Sequence, residues 1–138
     1  VVAIDGLALG KPANEAEAIQ MVRRLAGRVH EVLTGVAILF ASSNTGVHKE
    51  IGVSRTKVEF RKLTDEQIVA YVRSGEPYDK AGAYGIQGLA SKFVAMIEGC
   101  YFNVVGLPIA LVCEMLEKNQ EYWPSGDTRT AHDSGGAN

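Results

Sequence analysis

The chain has 138 residues, a length that fits one domain or a large piece of one. Hydrophobic residues make up 46% of it and charged residues 22%, which is the balance of a soluble globular protein. A formal net charge of −2 provides no broad basic surface, so binding to the phosphate backbone of a nucleic acid is not expected. A small anionic ligand remains compatible with this charge, because it needs only a local cluster of donors.

The cysteine content and the hydropathy indicate the cellular compartment in which the protein is expected. Cys100 and Cys113 are too few for a disulfide framework and lack metal-ligand spacing, which favours a reducing cytoplasm. The longest apolar run, Val104 to Val112, is interrupted by Gly106 and Pro108 and is too short to cross a bilayer. No export signal is visible. We therefore expect a cytoplasmic protein with no membrane partner.

The first elements in chain order are a strand and a helix. Val1 to Ile4 reads as the end of a strand, closed by a turn at Asp5-Gly6. Asn14, with Glu17 three residues later, is typical of a helix N-cap and resembles a capping box. The apolar stripe that follows predicts a helix over about Glu15 to Ala26.

Two strands are expected next. Val32 to Ala41 is a nearly unbroken apolar run, which predicts a strand buried on both faces. Turn residues occupy Ser42 to Lys49. From Ser54 to Arg61 the residue types alternate strictly, which predicts a strand with one solvated face. We expect the two strands to form an antiparallel hairpin.

The second half of the chain contains three further elements. Thr64 and Gln67 have the spacing of a capping box and begin a short helix that should end near Gly75. Phe93 to Ile97 reads as a short strand. Pro108 to Lys118 reads as a last helix, with proline in its first turn.

These elements predict the fold class and the domain limits. Strands and helices with one hairpin favour an α/β fold with a mixed sheet and flanking helices. The segment after Trp123 is rich in Gly, Ser, Asp, Thr and Asn and cannot bury enough surface to order itself. We therefore expect one domain over residues 1–122 and a disordered tail over residues 123–138.

The glycine-rich segment from Glu76 to Gly88 carries the most chemistry. Its three glycines recur every third residue and would let backbone amides approach a ligand closely. Asp79 could hold a metal or cap a turn, Lys80 could meet a phosphate, and Gln87 could read a base edge. The spacing matches neither the phosphate-binding loop GxxxxGK[ST] nor the dinucleotide fingerprint GxGxxG. A tight loop with a capping aspartate and a solvated lysine explains the same residues equally well.

Four segments, in order, resemble signatures of the Maf family of nucleoside triphosphate pyrophosphatases. They are LGKP from Leu9, HEVLTG from His30, DKAGAYGIQG from Asp79 and NVVGLP from Asn103. The similarity extends from Val1 to about Leu116. The version YGIQ within the third segment resembles the family branch that acts on dTTP and UTP rather than the branch that acts on 7-methyl-GTP. The resemblance implies an elongated, two-lobed α/β architecture with the ligand in a cleft between the lobes.

The resemblance also implies a reaction and a set of residues. The reaction is hydrolysis of dTTP or UTP between the α- and β-phosphates, with Mg²⁺ or Mn²⁺ as the divalent cation; no residue is assigned as its ligand. Lys11 is implied to lie at the active site, where a phosphate contact fits its charge and the nearby helix N-terminus; a solvated loop lysine is the alternative. Asp79 and Lys80 are further catalytic candidates. Gln87 is implied to select the substrate.

Base chemistry gives Gln87 a rationale of its own. Uracil and thymine present an N3–H donor beside the O4 acceptor, and a carboxamide can accept from the first and donate to the second. A flipped amide would pair with cytosine equally well, so neighbouring groups must fix its orientation. His30 is not expected in the site, and Tyr101 and Asn103 are expected to fix a turn rather than to touch substrate.

The chain departs from the family pattern at its start. Maf proteins carry a phosphate-binding SxSPRR loop and an ADT triplet whose aspartate is the proposed general base, and the triplet precedes the valines that correspond to Val1 and Val2. Neither motif is present here. We therefore expect an N-terminally truncated chain that lacks its general base, with nucleotide diphosphatase activity belonging to the parent protein. The alternative is a catalytically inactive nucleotide-binding or cell-division regulatory module. A homodimer is compatible with the family.

Overall fold

One antiparallel sheet organises the fold, which a computed structural model describes for residues 1–122. The strands are β1 (Val2–Ile4), β2 (Leu7–Leu9), β3 (Val29–Ser42), β4 (Gly46–Phe60) and β5 (Val94–Glu98). The helices are α1 (Glu15–Leu25), α2 (Asp65–Arg73), α3 (Tyr101–Val105) and α4 (Ile109–Glu117). Short 3₁₀ turns occupy Glu76–Asp79, Ala81–Ala83 and Leu89–Phe93. The expected tail over 123–138 lies outside the described residues.

The strand order is β2-β1-β3-β4-β5, and every pairing between the described strands is antiparallel. The α/β class with flanking helices is confirmed, but these strands do not form the mixed sheet that we expected. A parallel pair needs a crossover that returns the chain to the same end of the sheet. Here tight turns join β1 to β2 and β3 to β4. The connection through α1 does return the chain in the direction of β2, but β3 then pairs with β1 and not with β2, so no parallel pair forms.

The β3–β4 hairpin is confirmed and is longer than the sequence indicated. Its turn is confined to residues 43–45, so Gly46 to Lys49 belong to the strand and not to the loop. The expectation that Val32 to Ala41 is buried on both faces is wrong: Leu39 is 66% exposed. The outer half of the hairpin extends beyond β1 and β5, and a helix covers only one of its faces. Only the strand's inner part has partners on both sides.

Helices α1 and α2 begin where their caps were expected. The Asn14 side chain accepts a hydrogen bond from the Glu17 amide at 2.9 Å, but the Glu17 carboxylate accepts from Ala13 and not from Asn14, so this is not a reciprocal box. Thr64 and Gln67 make both bonds of a capping box. The two helices pack on one face of the sheet over the main core, which includes Val22, Leu25, Val58, Phe60, Ile68, Val72 and Phe93.

A second, smaller cluster lies on the outer half of the hairpin. The Met115 side chain of α4 is 3% exposed and faces Gly52 of β4. The rings of Phe40, His48 and Tyr122 contact one another, with centroid distances of 6.0 Å for Phe40–His48, 5.2 Å for His48–Tyr122 and 5.7 Å for Phe40–Tyr122. The long hairpin therefore connects two cores, which agrees with the elongated two-lobed outline.

Candidate functional site

Three of the four segments singled out by the sequence, those from His30, Asp79 and Asn103, meet around one cavity of about 480 Å³. One wall is formed by Lys80-Ala81 and Tyr84 to Gly88 of the glycine-rich loop. The opposite wall is Asn103 to Gly106, and Val1-Val2 with two residues of β3 form the remaining side. The motifs from Asp79 and from Asn103 thus face each other across a space large enough for a small ligand.

The glycine-rich loop is held in place by bonds from three directions. The Tyr71 hydroxyl of α2 donates to the Ala83 carbonyl at 2.9 Å. The Gly82 amide donates to the Gly10 carbonyl at 3.0 Å, which ties this loop to the segment that carries Lys11. The Glu76 carboxylate accepts from the Leu89 amide at 2.9 and 3.1 Å and closes the loop at its base. The loop is therefore preorganised by the protein itself.

Close packing explains the glycine spacing. Gly82 has φ +70°, and a Cβ there would be 2.9 Å from the Val2 side chain. A Cβ at Gly85 would be 2.9 Å from Cε of Lys80, and one at Gly88 would overlap the Glu76 carboxylate. We expected these glycines either to let a ligand approach the backbone or to allow positive φ in turns, and positive φ is found at Gly82. The space beside Gly85 and Gly88 holds other side chains of the same chain.

Lys80 and Asp79 are brought together, but only Lys80 lines the cavity. Lys80 Nζ donates to Asp79 Oδ1 at 2.8 Å and to the Glu76 carbonyl at 3.0 Å. The hydrogen bond from Lys80 is the main reason that the pKa of Asp79 is lowered, followed by the charge of Lys80 and, last, that of Lys11. A carboxylate stabilised in this way is a weak base, so its geometry suits holding Lys80 better than activating water.

Lys11 is exposed and is not among the residues that line the cavity. Its charge contributes to the lowered pKa of Asp79, so it lies within electrostatic reach of the Asp79–Lys80 pair. The helix N-terminus beside it is less suited to phosphate than expected. Asn14 already occupies the Glu17 amide, and Glu15 and Glu17 place two negative charges in the first turn.

Gln87 is exposed and lines the cavity next to Ile86, which is 8% exposed. Its carboxamide is on the same wall as Lys80. A ligand in the cavity can therefore meet a cation and an amide at once, which suits a molecule with an anionic part and a hydrogen-bonding edge.

Sequence reasoning excluded His30, yet it contacts the site through Tyr84. His30 is 1% exposed, and its Nε2 lies 2.7 Å from the Tyr84 hydroxyl. Within residues 1–122 its Nδ1 has no hydrogen-bond partner. Burial lowers the pKa of His30 to about 4, so the ring is neutral near pH 7. The only available signal was that His30 and Tyr84 each fall in a segment resembling the same family.

Asn103 lies in α3 rather than in the expected turn, and it lines the cavity. Its Nδ2 donates to the Val32 carbonyl at 3.0 Å and to Thr56 Oγ1 at 2.9 Å, while Thr56 Oγ1 donates to the Cys100 carbonyl at 3.1 Å. These buried bonds fasten α3 to β3 and β4. The five-residue α3 gave no periodic signal, which is why the sequence did not indicate it.

The described residues do not by themselves form a metal site. Among residues 1–122 no group of three or more His, Cys, Asp or Glu side chains is placed to hold an ion. Asp79, which the sequence offered as a metal candidate, is paired with Lys80. The divalent cation implied by the resemblance therefore has no group of three or more such side chains to bind it within this part of the chain.

Fold and site together define an α/β protein whose cavity is lined by one lysine, Lys80, and two carboxamide residues, Gln87 and Asn103. The chain belongs to the Maf-like protein family, whose model matches residues 1–119. This agrees with the four segments that carried the resemblance. In the described part of the chain, no helix is long and apolar enough to cross a membrane.

Curated relatives are identical to the chain at about half of the aligned residues. It is 56% identical over 110 residues to a dTTP/UTP pyrophosphatase of Carboxydothermus hydrogenoformans, covering 80% of this chain and 58% of the relative. It is 52% identical over 118 residues to a dTTP/UTP pyrophosphatase of Thermococcus gammatolerans, covering 85% and 60%. A third, from Symbiobacterium thermophilum, is 52% identical over 116 residues, covering 84% and 57%. The chain thus spans about three fifths of the length of these relatives.

Proposed function

We propose that the protein to which this chain belongs hydrolyses dTTP and UTP to the nucleoside monophosphate and pyrophosphate. The observation that carries the proposal is that Lys80 and Gln87 line one wall of the same cavity. The names of the relatives and the family match support the same reaction. The substrate is a small nucleotide and not a nucleic acid, in keeping with the net charge of −2.

Each candidate residue receives a role from its surroundings. Lys80 neutralises a phosphate oxygen, and Asp79 holds its ammonium group at 2.8 Å so that the charge faces the cavity. Lys11, which approaches from the neighbouring loop, contacts the distal phosphates once a ligand is bound. Gln87 accepts from N3–H and donates to O4 of the base. The apolar side chains of Val2 and Val104 pack against the sugar or the base.

The attacking water needs a base, and Asp79 is a poor one because its pKa is lowered by Lys80. Val1 lines the cavity, and its nitrogen donates to the Leu33 carbonyl at 2.8 Å. In a longer protein the residues before Val1 would therefore start beside the cavity, and in the family pattern the second residue before Val1 is the aspartate of the ADT triplet. We assign the general base to that position. A divalent cation, Mg²⁺ or Mn²⁺, accompanies the triphosphate, with ligands outside the described residues.

Pyrophosphate release from dTTP, UTP, CTP, ATP and GTP tests the proposal. The assay uses both the 138-residue chain and a longer protein that contains it. We expect turnover with the ADT aspartate present, a preference for dTTP and UTP, and loss of that preference in Gln87→Ala. Gln120→Ala, which removes an exposed glutamine outside the cavity lining, is the matched control. Equal turnover of ATP and GTP by the unsubstituted protein would contradict the base selectivity.

One observation favours the alternative of a catalytically inactive nucleotide-binding or cell-division module. The carboxylate of Asp79, which adjoins the cavity residue Lys80, is already paired with that lysine. Such a module would bind dTTP and UTP, detected by calorimetry, without releasing pyrophosphate even in the longer protein. Turnover in that protein removes the alternative.

Self-association and location also remain proposals. The outer face of the hairpin exposes Leu39, Val47, Ile51 and Val53, each more than 60% accessible, and a second copy of the chain is the partner that we propose for it. Sedimentation of the unsubstituted chain and of Ile51→Lys should show a dimer only in the first.

A cytoplasmic location is proposed from the free cysteines and needs fractionation to test it.

A further inference from the structure

We propose that His30 is a positioning residue for base selection, acting through its hydrogen bond to Tyr84 on the segment that carries Gln87. The inference rests on the proposed function, because it concerns how the cavity distinguishes one base from another. It assigns a role to a histidine that touches neither the cavity nor a metal.

The contact between the two rings is short, buried and geometrically defined. His30 Nε2 and the Tyr84 hydroxyl are 2.7 Å apart, and the two residues are 1% and 6% exposed. Their rings meet edge to face at 5.4 Å, and Phe60 packs edge to face on both, at 5.1 and 4.8 Å between centroids. The three rings leave Tyr84 little rotational freedom.

Tyr84 lies between the fixed residue Ala83 and the part of the loop that leads to Gln87. The preceding residue, Ala83, has φ +64° and is held by the Tyr71 hydroxyl, so consecutive residues are fixed from α2 and from β3. Gly85 then follows, and a glycine allows the backbone many directions. Gln87 is the first exposed side chain after this point. Without the hydrogen bond at Tyr84, the backbone that leads to Gln87 would be less firmly held just before Gly85, the residue with the greatest conformational freedom.

Stability alone does not explain a histidine here. Burial removes both ring nitrogens from water, and within residues 1–122 only Nε2 has a partner. An unsatisfied buried nitrogen costs about 1–3 kcal/mol, which an apolar residue of similar size would avoid. The ring does offer a fixed hydrogen-bond direction in an apolar environment. Because the pKa of His30 is about 4, the ring stays neutral throughout the range in which an enzyme would work.

The readout is the ratio of kcat/KM for UTP to that for CTP, measured on a protein that turns over nucleotide. Uracil and cytosine exchange donor and acceptor at the edge that Gln87 would read, so the ratio reports how firmly the carboxamide is placed. Tyr84→Phe keeps the ring and removes the hydroxyl. We expect the ratio to fall about tenfold, since small misplacements of binding groups cost factors of ten to a hundred. Inhibition by pyrophosphate should be unchanged, because Asp79 and Glu76 hold Lys80 independently.

A double variant separates positioning from stability. His30→Leu with Tyr84→Phe removes both polar partners, so the melting temperature should recover relative to Tyr84→Phe alone. Under the proposal the UTP-to-CTP ratio stays low in this stable double variant. The His30→Gln variant, whose amide can still reach the Tyr84 hydroxyl, retains part of the preference for UTP over CTP. Tyr78→Phe, an exposed tyrosine of the same segment, is the control that should change neither property.

The outcomes are distinct. An unchanged UTP-to-CTP ratio in Tyr84→Phe overturns the positioning role. Recovery of both the ratio and the stability in the double variant overturns it as well. Either result leaves the proposed function intact. If Tyr84→Phe does not fold, the double variant decides alone. An unsubstituted protein that does not prefer UTP over CTP and ATP overturns the proposed function first, independently of His30.

Discussion

Individual side chains, rather than ligand contacts, set the glycine spacing of the Asp79–Gly88 loop. Gly85 makes room for the aliphatic part of Lys80, and Gly88 makes room for the carboxylate of Glu76. The first arrangement concerns a cavity residue, and the second concerns only the closure of the loop. Substitutions at the two glycines should therefore affect different properties.

Gly88→Ala should reduce stability by about 2 kcal/mol. The new Cβ would overlap the Glu76 carboxylate and force it away from the Leu89 amide, and hydrogen bonds to charged groups contribute about 1.5–3 kcal/mol each. Urea unfolding at pH 7 measures the change. Gly10→Ala is the matched control, because nothing lies within 4 Å of a Cβ there. Equal destabilisation by both substitutions would show that the Glu76 contact is irrelevant.

Gly85→Ala should leave stability nearly unchanged and weaken nucleotide binding. The new methyl group would meet only Cδ and Cε of Lys80, at 3.0 and 2.9 Å, and this side chain can move aside. Displacing its charge from the cavity should raise KM for UTP about tenfold, a change of about 1.4 kcal/mol. Steady-state kinetics and urea unfolding of the same preparation measure the two effects. A large loss of stability with an unchanged KM would contradict the placement of Lys80.

At the scale of elements, local chemistry predicted those parts whose signals are local. The caps at Asn14 and Thr64 and the alternation over Ser54 to Arg61 each reflect contacts within a few residues, and those elements begin or run as expected. The three-residue β2 and the five-residue α3 were missed because neither is long enough to show a period.

The burial of β3 could not be predicted for a different reason. An apolar run indicates a strand but does not indicate whether another element packs on each of its faces. Helix α4 packs on the face of the outer hairpin that contains Gly52, whereas Leu39 lies on the other face and is 66% exposed. Prediction of the site from the sequence was limited in the same way. The motifs predicted which loop carries Lys80 and Gln87, whereas the contact between His30 and Tyr84, 54 positions apart, depends on the tertiary fold.

The docking of α4 on the hairpin gives a prediction at this scale. A Cβ at Gly52 would lie 3.0 Å from the Met115 sulfur and 3.2 Å from a Leu111 methyl group, so Gly52→Val should displace α4. Amide hydrogen exchange should then lose protection across Ile109–Glu117 and keep it in α2. Gly35→Val, also in the hairpin but with open space at its Cβ, is the control and should leave α4 protected. Unchanged protection in Gly52→Val would argue against this packing.

For the molecule as a whole, the hairpin joins two cores of unequal size, and the cavity borders the larger one. The main core contains the packed faces of α1 and α2 and the ring of Phe60, which also touches His30 and Tyr84. The site is therefore supported by the part of the molecule with the most buried apolar surface. A titratable group within that core links global stability to pH.

His30 should make the protein less stable as the pH falls below its ordinary pKa. Burial depresses the pKa from 6.5 to about 4 in the folded state, so the unfolded chain takes up the proton first. The stability is complete above pH 6.5 and declines towards pH 4, by about 2 kcal/mol between pH 7.5 and pH 5. Urea unfolding at these two values measures the loss. The His30→Leu, Tyr84→Phe double variant should lose most of the dependence, while His48, which is exposed on the outer hairpin, remains in both proteins. An undiminished slope in the double variant would mean that another group is responsible and that the His30 ring is not buried in its neutral form.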